Sequence, residues 1–109
     1  MIKGKYIYLG CNLYKFVNPH KFDLSEAVSL INVMTGEFAR HRDGIIIDSS
    51  YEADELFLYD SSFKFQVIDN SVTLFCTNPG MQMHYIADCN GVLRIVQGEQ
   101  FSNYLSLFP

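Results

Sequence analysis

Three histidines, His20, His41 and His84, are the side chains of this 109-residue chain suited to trading a proton near neutral pH. A histidine pair beside an acid could cleave RNA or another phosphoester by acid–base chemistry. His41 lies in Arg40-His41-Arg42, a run that would suit an anion. In an extended strand, however, neighbouring side chains point to opposite faces, which turns His41 away from both arginines. In the run 81–86 the same alternation groups His84 with Gln82 and Ile86, the polar face of a strand. Cys11, Cys76 and Cys89 are odd in number and lack Cys-x-x-Cys spacing, which suits neither a disulfide framework nor a zinc site. No basic cluster adjoins them to activate a thiolate. The sequence contains no nucleophile elbow, no glycine-rich phosphate loop and no dinucleotide fingerprint. The expectation is a protein that is not an enzyme, with no catalytic residue and no cofactor.

The acids offer more. Residues 48–60, DSSYEADELFLYD, hold five acids and two tyrosines without one lysine or arginine. A calcium loop would need a glycine near its middle, and none lies there, so no metal is expected. Tyr51 and Tyr59 supply rigid, amphipathic contact area of the kind that anchors interfaces. The surrounding carboxylates would give fast, salt-sensitive association with a basic partner. Proteins that act on nucleic acid have basic clefts, and an acidic protein can plug such a cleft by copying the charge of the substrate. Asp48, Tyr51, Glu52, Asp54, Glu55, Tyr59 and Asp60 are therefore the candidate partner-binding residues.

The charge is unevenly spread. Residues 1–42 carry six Lys/Arg and three Asp/Glu; residues 43–109 carry two and nine, giving the net −4. That balance argues against direct binding of nucleic acid, and the asymmetry can steer an oppositely charged partner. A chain of this length suffices for one domain and buries about 65% of its unfolded surface, enough to need no metal or disulfide. The first residues show neither a signal peptide nor a membrane span, so a cytoplasmic protein with reduced thiols is expected.

Several elements must position these residues. Residues 5–9 and 12–17 read as strands around Gly10. Residues 23–36 read as an amphipathic helix: Asp23 caps, Glu26 completes a capping box, and Leu24, Ala27, Val28, Ile31 and Met34 recur at helical spacing before Gly36. Strands at 37–41 and 44–48 flank Arg-Asp-Gly, and Ile45-Ile46-Ile47 suggests a central strand buried on both faces. Residues 55–59 begin a further strand. A meander follows over 63–68, 71–77, 81–87 and 92–96, with Asn90-Gly91 the strongest hairpin signal. The tail reads as a strand or a short helix. The sum is an α+β domain spanning 1–109: a curved, mostly antiparallel sheet, sandwich-like or barrel-like, with one amphipathic helix.

In length, acidity, single-domain build and absence of catalytic motifs, and in the stretch Tyr51, Glu52, Asp54, Glu55, Tyr59, Asp60, the chain resembles the small immunity proteins of bacterial contact-dependent growth inhibition systems. That class has no signature motif, so no residue role carries over. The resemblance implies an antitoxin-type protein that binds a cognate basic toxin, expected to be a nuclease domain, and blocks its active site, with no membrane contact. Two alternatives stay open: a barrel that holds a small apolar ligand among its Phe and Tyr rings, and a hydrolase dependent on His41 or His84.

Overall fold

A computed structural model describes residues 2–21, 27–98 and 105–108. Ten strands and one short helix are present among them: β1 Tyr6–Leu9, β2 Asn12–Val17, β3 Ala27–Asn32, β4 Phe38–Arg42, β5 Ile45–Ser49, α1 Glu55–Asp60, β6 Phe63–Ile68, β7 Ser71–Cys76, β8 His84–Cys89, β9 Val92–Gln97 and β10 Leu105–Ser106. All pairings are antiparallel. Hairpins β4–β5 and β8–β9 turn through Asp43-Gly44 (φ 53° and 78°) and Asn90-Gly91 (φ 56° and 86°). Two successive positive φ angles are the type I′ geometry that matches strand twist, and Asp-Gly and Asn-Gly adopt it at low cost.

The ladders close into two rings. One runs β3-β4-β5-β9-β8-β7-β6 and back to β3, a closed seven-strand barrel. The other runs β1-β2-β3-β6-β7-β10 and returns to β1 through an Ile7–Leu107 bridge, with the Phe108 N–H donating to the Tyr6 carbonyl at 2.9 Å. Each strand region of this second ring sends residues i and i+2 into the core: Ile7 and Leu9, Tyr14 and Phe16, Val28 and Leu30, Phe63 and Phe65, Val72 and Leu74, Leu105 and Leu107. The interior is thus filled by the barrel's own side chains, each contributing about 1.5–3 kcal/mol of burial before the entropy of ordering is set against it. The pair β3/β6 encloses hairpin β4–β5, and the pair β7/β10 encloses hairpin β8–β9. The pair β1/β2 encloses only the two-residue turn Gly10-Cys11. This is trefoil-like wiring with two hairpins where three would complete it.

Four expectations are corrected. The helix expected over 23–36 is absent where the chain is described: residues 27–32 are β3, and Asp23, Leu24 and Glu26 lie outside the described residues. The apolar spacing misleads because β3 is buried on nearly every side; Ser29 and Asn32 are as sealed as Val28 and Leu30. Met34, assigned to an apolar face, is 87% exposed. Conversely, residues 55–59 form α1 rather than a strand, so the one helix among the described residues lies inside the acidic stretch. Ile45-Ile46-Ile47 is not buried on both faces: Ile45 is exposed and its neighbours are half-buried, because β5 pairs with β9 only at Ile45. The strand expected over 81–87 starts at His84, after a turn with Met83 at φ 63°. Among the described residues no helix is long and apolar enough to cross a membrane.

Candidate interaction surface

The acidic stretch becomes a protruding loop followed by α1. Residues 50–56 are exposed without interruption, and Phe57 is then fully buried. The helix forms here because Asp54 caps it. Its extended backbone stops the loop, and its carboxylate accepts the Phe57 N–H at 2.8 Å. A six-residue helix has no stability of its own, so packing must hold it. Phe57 provides the apolar part. Arg40 of β4 provides the rest: its guanidinium lies 5.0 Å from the Phe57 ring and donates to Glu52 Oε2 at 3.0 Å and to Asp60 Oδ2 at 2.9 Å. One buried cation thereby fastens both ends of the segment 52–60.

Asp60 is 4% exposed, and both its oxygens are occupied. Besides Arg40, it accepts from Asn78 Nδ2 at 2.7 Å, and His41 Nε2 stands 3.5 Å away. Here the expected alternation fails: Arg40 and His41 are both buried and both reach Asp60, rather than diverging. Cys76 lies in the field of Asp60. Burial, reinforced by that negative charge, pushes its thiol up to about 12, which keeps it protonated and unreactive.

The seven candidate residues therefore divide. Asp48 is half-buried and faces inward, accepting from the Tyr14 hydroxyl at 2.5 Å and from Asn32 Nδ2 at 2.8 Å. Burial first, then Asp48, raises the Tyr14 pKa. Asn32 Oδ1 in turn accepts the Met34 and Thr35 N–H groups and shapes the β3–β4 turn. The carboxylates of Asp48 and Asp60 are held by partners inside the fold rather than presented outward from the loop. Tyr59 is half-buried, with Lys21 Nζ 4.9 Å from its ring centre. Tyr51 (55% exposed), Glu52, Asp54 and Glu55 do face outward together, and Leu56 (58% exposed) joins them. Among the described residues Glu55 pairs with half-buried Lys21, at 3.6 Å.

Sequence reasoning missed Arg40, His20, Leu56 and Asn78. His20 packs edge-on against Phe38 and Tyr51 and lies over Phe57, while its Nδ1 meets Ser61 Oγ at 2.8 Å. Burial lowers its pKa, so the ring is neutral at pH 7. It props Tyr51 from beneath. Only Arg40 carried a legible signal: an arginine inside a strand, in a chain rich in acids, is a candidate for a buried pair. Among the described residues no group of three His, Cys, Asp or Glu side chains could hold a metal ion.

No family model matches this chain, and no curated protein matches it. Among solved structures it resembles part of a GH43 β-1,3-galactosidase, with TM-score 0.65 and 12% identity. The likeness covers 89% of this chain and 20% of that one. At that identity the likeness concerns the fold alone.

Proposed function

We propose that this chain is an immunity-type binding protein that recognises a basic protein partner through the edge formed by Tyr51, Glu52, Asp54, Glu55 and Leu56, and occludes that partner's active-site cleft. The observation that carries the reading is the uninterrupted exposure of residues 50–56 above a buried clamp of Arg40, Phe57 and Asp60. A loop held rigid from below loses little entropy on binding, which favours affinity. An exposed tyrosine and leucine among carboxylates combine apolar anchors with a steering field. A nuclease domain is the expected partner, since its cleft is built for a polyanion.

Reversing every acid is a poor test, because Glu52 pairs with Arg40 and Asp54 caps α1. Glu55→Lys and Tyr51→Ala change exposed groups. After capture of the stoichiometric basic partner from native cells, titration should show each variant binding about tenfold or more weakly, with the unfolding temperature lowered only slightly by the lost surface contacts. Raising the salt should weaken the wild-type complex. Unchanged affinity for both variants would remove this segment from the interface.

A further inference from the structure

Beside the acidic edge lies an open depression of about 480 Å³ lined by residues that include His41, Arg42, Asp43, Leu56, Asp60 and Met81. We propose that it is a socket for the side chain of a lysine or arginine of the partner, with His41 Nδ1 as the acceptor in its floor. This rests on the reading of the edge as a surface for a basic protein.

The hydrogen bonds that run outward from Arg40 fix the tautomer of His41. Asp60, paired with Arg40, can only accept, so the Asn78 group facing it at 2.7 Å must be the amide nitrogen. The Asn78 carbonyl oxygen is then left to face His41 Nε2, at 2.9 Å. A carbonyl only accepts, so Nε2 must carry the proton. In the neutral ring the lone pair is therefore on Nδ1. That atom has no hydrogen-bond partner among the described residues, and unlike Arg40 Nε it is not sealed from solvent. His41 lines the depression and is nonetheless only 6% exposed, so the ring is held in one orientation with its second nitrogen unpaired.

The surroundings select the ligand. Leu56 and Met81 form apolar walls that fit the stem of a long basic side chain, which packs along apolar surface while its head stays polar. Asp43 at the rim favours a positive head and disfavours a carboxylate, while the charge of Asp60 in the floor is already answered by Arg40. Arg42, exposed at the rim, opposes such a head, and an exposed charge opposes it weakly.

Nitrogen-detected NMR of the isotopically labelled protein tests this. The free protein should show the Nε2–H tautomer of His41. Butylguanidinium and pentylammonium should shift Nδ1 and the Leu56 and Met81 methyl signals saturably, whereas pentanol and pentanoate should not. Arg42→Ala should tighten the cations about twofold to fivefold, the range for one exposed like charge. An Nδ1–H tautomer, preference for pentanoate, or no response at these groups to either cation would overturn the socket. Capture of a partner that remains sensitive to Glu55→Lys while His41 stays silent would remove the socket and leave the edge reading standing. Cation binding at His41 together with an insensitive Glu55→Lys would do the reverse.

Discussion

A carboxylate in the interior is tolerable only where its charge is answered, and Asp60 is answered by Arg40, Asn78 and the nearby His41. Asp48 is answered by Tyr14 and Asn32. In the sequence these two acids look like Glu52 and Glu55, because what separates them is a partner remote in the chain: Arg40 lies 20 residues from Asp60, and Tyr14 lies 34 from Asp48. No local pattern encodes that. The same holds for His20, whose serine and aromatic neighbours come from four other segments. Its lowered pKa has a consequence. The unfolded chain takes up the proton as the pH falls below about 6.5, before the folded ring does. Stability is therefore fully present above that value and is lost as the pH drops towards the folded pKa. Urea midpoints near pH 7 and about pH 5.5 should differ for the wild type, and His20→Gln should reduce that difference while lowering the midpoint at pH 7. An undiminished difference in the variant would assign the acid sensitivity to the carboxylates instead.

At the scale of elements, most of the meander was legible, because tight turns carry their own chemistry: Asp43-Gly44 and Asn90-Gly91 set both hairpins and their register. The helix was misplaced for a physical reason. Residues 27–32 have apolar groups on nearly every side because β3 lies between β2 and both β4 and β6, so apolar spacing there carries no period. Residues 55–59 are too few to tell an alternation from a turn of helix. The informative signal was Asp54, a capping residue directly before Glu55, which suits the positive end of a helix. Asp54→Ala should therefore cost about 1 kcal/mol of stability and raise amide exchange in residues 55–57, while Asp54→Ser should retain most of both. If the alanine variant exchanged no faster there, the clamp from Arg40 and Phe57 would suffice to hold α1 without its cap.

At the scale of the molecule, the barrel has one unit shorter than the other two. Where β3/β6 and β7/β10 carry a hairpin, β1/β2 carries the turn Gly10-Cys11. Beside that turn an open depression of about 330 Å³ is lined by Leu9, Ile45, Ile46, Val92 and Leu93, and Ile45 and Val92 are exposed. The space follows from the wiring, since two hairpins cannot cover the ground of three. A hairpin copied from Phe38–Ser49 and inserted between Gly10 and Cys11 should be accepted. It lengthens a surface loop at small entropic cost and adds apolar cover over Ile45 and Val92. Thermal unfolding followed by circular dichroism should change by less than about 4–8 °C, the equivalent of about 1 kcal/mol. The same insertion between Asp69 and Asn70 falls at a different kind of turn. There the Leu107 N–H donates to the Asn70 carbonyl at 2.7 Å, next to the β7–β10 and β1–β10 contacts that close the ring. Disturbing it should open the barrel and lower the midpoint by more. Equal losses at both sites would mean that the short unit is packed as tightly as the others, and the trefoil-like reading of the barrel would fail.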